Sequence, residues 1–326
     1  MRNSENKKTI LVTGSAGFIG FHTAKKLLED GFNVIGIDSI NNYYSQDLKN
    51  HRNDILKKYN SYKFYQLDIS EEKELEKVFE ENNIDKICHL AAQPGVRYSI
   101  ENPLIYQQSN LKGFINIMEC AKKFNIKDFI YASSSSVYGK NEMNEDGFKE
   151  EDNVDSPISL YAATKKSNEL IAHNYHHLFD INCTGLRFFT AYGPSSRPDM
   201  AMYLFTNEIM NNKEVKLFNY GKMLRDFTYV DDIVDGIIKS LEKAYPYEIF
   251  NLGNSQTVEV GYLIKLLEEN LNKKANIKLE PIQPGDVEKT FANISKAKKM
   301  LNYDPKTNIE EGVKKFVEWY KEYYKI

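Results

Sequence analysis

Thr9-Ile-Leu-Val-Thr13-Gly14-Ser-Ala-Gly17-Phe-Ile-Gly20 is the stretch whose reading decides the fold. Its first five residues form a short β-favouring apolar run, the three glycines a turn, and 21–30 carries a helical pattern. Strand, glycine turn and helix in that order suit a pyrophosphate, which needs close backbone approach and the free N–H groups at a helix N-terminus. The spacing Gly-x-x-Gly-x-x-Gly is one residue longer in its first gap than the dehydrogenase fingerprint, and such a turn also serves as a plain tight connection. The next strand, 33–37, favours the nucleotide. It ends in Asp38, where an acid meets the ribose hydroxyls of an adenosine. Asp38 would repel a 2′-phosphate and Ser39 is no arginine, so NAD is expected rather than NADP.

Outward from that unit the alternation continues. Strands are predicted at 62–67 (ending at Asp68-Ile69), 86–90 (followed by Ala91-Ala-Gln93), 128–132 (followed by Ser133-Ser-Ser-Ser136) and 181–188. Helices are predicted at 71–81, at 103–124, and through Tyr161 and Lys165 to about Phe179. Nearly continuous apolar strands separated by helices indicate an α/β protein with a doubly wound parallel sheet of Rossmann type. Ligands on such sheets sit beyond the carboxyl ends of the strands, where Asp38, Asp68, Ala91 and the serines all fall. The stretch 140–159 is polar and acidic and reads as a surface loop.

Beyond 188 the alternation loosens, through 215–218, 221–230, an amphipathic stretch to Lys243, then 248–251, 261–271, 278–281 and a closing helix from Ile309. The expectation is an NAD-binding domain over 1–188 and a smaller mixed α/β substrate-binding lobe over 189–326, entwined because no flexible linker parts them.

Composition narrows the functions. A net charge of −3 offers no basic footprint for nucleic acid or anionic membrane. No apolar run approaches the ~20 residues of a membrane span, and the polar N-terminus has no signal-peptide core, so a cytosolic location is expected. Cys88, Cys120 and Cys183 lack metal spacing and read as buried thiols. His22, His89 and the pair His176-His177 show no ligand spacing, so no metal is expected.

Tyr161-Ala-Ala-Thr-Lys165 places a phenol and an ammonium four residues apart on one helix face. A fixed positive charge near the phenol favours its ionised form and moves its pKa toward working range. Alone the pair is weak, since Tyr and Lys are both abundant here. Its weight comes from the motifs around it.

Taken in order, Thr13-Gly14-Ser-Ala-Gly17-Phe18-Ile19-Gly20, Leu90-Ala-Ala-Gln93, Ser133 to Gly139, Tyr161 to Lys165, and Arg225-Asp-Phe-Thr-Tyr-Val-Asp231-Asp232 make the chain resemble the extended short-chain dehydrogenase/reductase family. More narrowly it is similar to the nucleotide-sugar epimerases, over nearly its whole length. The resemblance implies Tyr161 as base, Lys165 as the charge that lowers its pKa and holds the nicotinamide ribose, and Ser134 as hydrogen-bond partner of the reacting hydroxyl. It implies NAD contacts at Gly14, Gly17, Phe18, Ile19, Gly20, Asp38, Asp68, Ile69 and Ala91, together with Tyr161 and Lys165. The implied chemistry is oxidation of a sugar at C4, rotation of the 4-ketose, and return of the hydride to its opposite face. A homodimer is expected through the helix at Pro103 and the Tyr161 helix.

Dehydratases and decarboxylases of the same family carry an acidic residue before the Val-Tyr-Gly of the serine motif. Here Ser135 and Ser136 stand in those positions, which favours simple epimerisation. Gln93-Pro-Gly-Val-Arg97-Tyr-Ser-Ile-Glu-Asn-Pro103, Phe188-Phe-Thr190-Ala-Tyr-Gly-Pro194 and Arg197-Pro-Asp-Met200 resemble the UDP-glucuronate 4-epimerases. UDP-glucose 4-epimerases commonly have Asn where Thr190 stands. Pro94 and Ser195-Ser196 depart from the pattern and bear on the substrate loop. Ser135, Ser136 and Thr190 are expected to hold the sugar carboxylate, Arg97, Arg197 and Arg225 to meet the substrate or its diphosphate, and the loop Gln283-Pro-Gly-Asp286-Val to close over the nucleotide. The expected function is inversion of UDP-glucuronate at C4. Alternatives are a UDP-glucose or UDP-N-acetylglucosamine 4-epimerase, and a non-catalytic NAD-sensing protein.

Overall fold

Residues 7–141, 143, 145–282 and 288–326 are described by a computed structural model. The loop 283–287, with Asp286, lies outside the described residues.

Seven strands make the central sheet: β1 (Thr9–Thr13), β2 (Asn33–Asp38), β3 (Tyr62–Gln66), β4 (Lys86–His89), β5 (Asp128–Ser134), β6 (Asn182–Phe188) and β7 (Tyr247–Leu252). Their spatial order is β7-β6-β5-β4-β1-β2-β3. β1 runs parallel to both β2 and β4, with Thr13 opposite Ile37 on one side and His89 on the other. The order therefore turns at β1, and the crevice outside the ends of β1 and β4 is where such sheets take ligands. Ile10, Leu11 and Val12 are buried, as expected where helices cover both faces. Helix Phe18–Glu29 presents Phe18, Phe21, Ala24, Leu27 and Leu28 to the core, the 3–4 spacing of one helix face.

Three observations correct the sequence reading. Helix Gln46–Leu56 has no counterpart in it, because its buried face is Leu48, Lys49, Arg52, Asn53 and Leu56 and gives no apolar period. The helix expected over 103–124 contains a π-helical turn, Gln107–Lys112, between Pro103–Tyr106 and Gly113–Lys123. The stretch 140–159 is not all surface, since Phe148 and Val154 are buried.

The chain divides into two compact units, one of Met1–Asn141, Glu150–Arg187 and Val234–Phe250, the other of Glu142–Lys149, Phe188–Ile233 and Asn251–Ile326. Val234–Phe250 thus returns to the first unit and supplies most of β7, so a single cut after residue 188 does not describe the division. The second unit is built of short ladders. Thr190–Tyr192 pairs in parallel with Phe227–Tyr229, and Glu214–Leu217 with Asn276–Leu279. Leu224–Arg225 lies between Val258–Glu259 and Lys289–Thr290. Helices Ala201–Met210 and Ile309–Tyr324 meet through Tyr203, Phe316 and Tyr320.

Candidate active site

The glycine turn is built as a cradle. Gly14 has φ +71, and its N–H donates to the Ile37 carbonyl at 2.7 Å. A Cβ on Gly14 would lie 2.9 Å from the Ala91 backbone nitrogen, and one on Gly20 would lie 2.0 Å from the Gly14 carbonyl oxygen. Only glycine lets turn, helix and the end of β4 approach this closely. Gly17 caps helix Phe18–Glu29 without a side-chain hydrogen bond, leaving the helix N-terminus to an anionic ligand. Asp38 accepts from the Ala16 and Ile40 N–H groups at 3.1 and 2.9 Å. Burial holds its carboxyl above the usual range, outweighing those bonds and the charges of Lys49 and Arg52. A Gly cradle without a Cβ, an open helix start and a carboxylate at the end of β2 fit a dinucleotide with free ribose hydroxyls.

Other residues expected near the cofactor are placed as follows. Phe18 is buried and Ile19 half-buried. Ile69 belongs to the hydrophobic core, and its carbonyl accepts from Asn116. Asp68 accepts from the Ser70 N–H. For Phe18 and Ile69, this leaves mainly backbone for a ligand. The Ala91 N–H donates to Thr13 Oγ1, which also shares a 2.8 Å hydrogen bond with His89 Nδ1. Burial pushes the His89 imidazole down to about 3, with the Lys165 charge adding to the effect, so His89 is neutral.

The second half of this site is the junction of β5 with helix Leu160–Phe179. Ser159 caps the helix by accepting from the Ala162 N–H. Toward its N-terminus the helix buries polar side chains, and toward its C-terminus Ala172 and Tyr175. Thr164, Lys165, Asn168 and Glu169 are buried while Leu170 and Leu178 are exposed. Lys165 Nζ donates to the Ala132 carbonyl at 2.9 Å, two residues before Ser134, and burial lowers its pKa to about 8. Tyr161, one turn earlier, is half-buried, with its ring edge-on to Tyr106 at 6.2 Å. Ser134 Oγ accepts from both the N–H and the hydroxyl of Ser136, at 3.2 and 2.9 Å. Ser134 and Ser136 therefore form one hydroxyl pair, while Ser135 opens the 3₁₀ turn Ser135–Tyr138.

Sequence reading missed Asn110, which the π turn carries. Its Oδ1 accepts from Gln93 N–H, and its Nδ2 donates to the Gln93 carbonyl and to Thr164 Oγ1. Its own carbonyl accepts from Asn168. π turns recur at functional sites, and this one ties the Leu90-Ala-Ala-Gln93 segment to the Tyr161 helix. Nothing local in the sequence marks it. Arg97 is exposed at the start of helix Tyr98–Glu101.

Within the second unit, Thr190 lies opposite Phe227, two residues beyond Arg225. Arg225 donates to the carbonyls of Leu224 and Glu288. The neighbouring Asp226, 1% exposed, accepts from Thr228 and from the N–H groups of Asn254, Ser255 and Ala292. Arg197 forms a two-point ion pair with Asp199 at 3.0 Å. Among the described residues, no group of His, Cys, Asp or Glu could hold a metal ion, and no helix is long and apolar enough to cross a membrane.

A seven-stranded sheet turning at its first strand, a glycine cradle, and a buried Lys165 bonded to Ala132 two residues before Ser134 are the frame of an NAD-dependent enzyme. The chain belongs to the extended short-chain dehydrogenase/reductase family, within its nucleotide-sugar epimerases. A profile of the GDP-mannose 4,6 dehydratase family matches residues 11–316. The chain is 44% identical over 313 residues to a UDP-glucuronate 4-epimerase of Thermodesulfobacterium geofontis, covering 96% of each. It is similar to the structure of UDP-glucuronic acid 4-epimerase from Bacillus cereus in complex with UDP-glucuronic acid and NAD, with TM-score 0.89, 34% identity, and 97% and 100% of the two chains covered. UDP-glucose 4-epimerase from Thermotoga maritima, with UDP-glucose, matches with TM-score 0.87, 32% identity, and 97% and 99% coverage.

Proposed function

We propose that this chain is an NAD-dependent 4-epimerase that interconverts UDP-glucuronate and UDP-galacturonate. One observation carries the choice of reaction: Ser134, Ser135 and Ser136 bring three hydroxyls and no carboxylate to the end of β5. These three positions offer no carboxylate to remove a C5 proton, so the site suits loss and return of hydrogen at C4 alone. The 44% identity with a UDP-glucuronate 4-epimerase supports the choice of sugar.

When bound, NAD supplies the acceptor and then the donor of hydride at C4. Gly14, Gly17, Gly20 and the first turn of helix Phe18–Glu29 would hold its pyrophosphate, and Asp38 its adenosine ribose. Tyr161 takes the proton of the 4-hydroxyl and returns it after the sugar turns. Lys165, charged below about pH 8, favours the phenolate by its field. Ser134 holds the reacting oxygen, oriented by Ser136. General base action of this kind contributes ~10²–10⁴-fold.

The 4-keto form of a uronic acid is a β-keto acid, and stripping water from its carboxylate would accelerate loss of CO₂. Ser135 would replace that water with a hydroxyl donor, while Ser136 orients Ser134. By the family pattern Arg225 would meet the diphosphate and Arg197 the substrate.

The same reading includes a cytosolic homodimer. Leu104, 76% exposed, and Leu170 and Leu178, above 55%, leave apolar side chains on the two helices expected to form its interface. Sedimentation of the wild type as a dimer and of Leu170→Glu as a monomer checks this. Incubation with UDP-glucuronate followed by NMR tests the reaction. UDP-galacturonate is the expected product; turnover of UDP-glucose or UDP-N-acetylglucosamine alone, or of no sugar, would overturn the assignment.

A further inference from the structure

Glu169 sits one turn beyond Lys165 and two beyond Tyr161, on the same helix face. Its Oε1 accepts from Ser133 Oγ at 2.7 Å and from Arg187 Nε at 2.8 Å, and its Oε2 from Arg187 Nη2 at 2.9 Å. Arg187 Nη1 donates to the Tyr138 hydroxyl at 3.0 Å and to the Glu150 carbonyl at 3.2 Å, with the guanidinium 4.9 Å from the Tyr138 ring centre. The ion-paired side chains are only 2% and 1% exposed. Arg187 comes from β6, Ser133 from β5, and Tyr138 closes the turn that follows Ser134.

We propose that Glu169 and Arg187 are positioning residues, which fix the Tyr161–Lys165 helix in register with Ser134 by gripping Ser133 and Tyr138 on either side of it. Lys165 is anchored to Ala132 and Glu169 to Ser133. Two anchors, on successive strand residues and one helical turn apart, leave the helix free neither to slide nor to roll against β5. Net stability alone is a poor reason for such a pair, because a buried ion pair is often matched or bettered by apolar residues of similar volume. What apolar residues cannot reproduce is the two-point geometry of a guanidinium on a carboxylate and the third bond to Ser133.

This inference rests on the roles proposed for Ser134, Tyr161 and Lys165, and the test separates the two. Glu169→Gln leaves Arg187 buried beside a neutral amide and should lower both thermal midpoint and kcat. The double variant Glu169→Leu/Arg187→Met should regain the midpoint yet keep kcat for UDP-glucuronate depressed about 10- to 100-fold at unchanged KM. Wild-type kcat in the folded double variant overturns the proposal. Should that variant fail to fold, Ser133→Ala decides. A kcat about 5-fold lower at unchanged midpoint and KM, restored by Ser133→Thr, supports it, and wild-type kcat in Ser133→Ala sinks it. Full turnover by Tyr161→Phe would instead remove the catalytic reading itself, whereas inactive Tyr161→Phe beside a fully active double variant removes the clamp alone.

Discussion

The two units bury charge in different ways. In the first, Glu169 meets Arg187 side chain to side chain and Lys165 is spent on one backbone carbonyl, while Asp38 accepts from only two backbone amides. The second buries carboxylates and surrounds them with backbone amides. Asp226 collects three N–H groups and a hydroxyl, and Asp232 those of Lys306 and Thr307. Among the described residues no salt bridge reaches Asp226. A sheet supplies its own frame, so its buried charges are available to aim side chains. A unit of short ladders has to be pinned, and a carboxylate can hold several loops at once.

On that comparison, substituting groups near Ser134 should act on turnover, and substituting Asp226 should act on stability. Tyr161→Phe gives the largest effect, a loss of about 10²–10⁴-fold in kcat with NAD still bound, measured by product NMR and cofactor stoichiometry. Asp226→Asn turns an amide NH₂ toward groups that are themselves donors. It should cost about 3 kcal/mol in urea unfolding while leaving kcat at saturating substrate near wild type. A fall in kcat without loss of stability would break the comparison.

Lys165→Met sharpens it from the other side. The native pKa of Lys165, about 8, lies below its ordinary 10.5. The unfolded chain therefore holds more protons between those values, and wild-type stability rises with pH across that window. Below pH 8 the charged native Lys165 carries the full penalty. Replacing it with Met should stabilise the protein by about 2 kcal/mol at pH 7, after allowing for the lost bond to Ala132. The gain should shrink toward pH 10 as activity stays abolished, as unfolding curves at the two pH values would reveal. The smallest effect is on product ratio. Ser135→Ala should raise the UDP-pentose by-product of decarboxylation, and an unchanged ratio would remove the protective role of this hydroxyl.

Much of the frame was legible because apolar period and glycine placement are local signals. β1, the glycine turn and Asp38 lie within thirty residues and can be read as one unit. The serine cluster was legible by position, though not the bond between Ser134 and Ser136. What escaped was polar and long-range. Helix Gln46–Leu56 hides because Lys49, Arg52 and Asn53 occupy its buried face. Asn110 hides because a π turn has no composition of its own. Arg187 could be placed at a strand end, but its partner Glu169 lies 18 residues away on a helix, and no periodicity links them. For Thr190, Arg197 and Arg225 the motif was readable, whereas the Asp199 partner of Arg197 came only with coordinates.

Helix Leu160–Phe179 has a root and a tip. Ala172 and Tyr175 belong to the hydrophobic core, and Ile171 and Phe179 pack against it; toward the N-terminus the helix is held by Thr164, Lys165, Asn168 and Glu169. The turn 160–163 lies ahead of the anchors at Lys165 and Glu169 and of the apolar root, so local opening should begin there. Amide protons of 161–166 should then exchange with solvent sooner than those of 171–176, and a bound sugar nucleotide should slow the first group far more than the second. On the proposed mechanism, Tyr161 thus rides on the part of the helix that a bound substrate would steady.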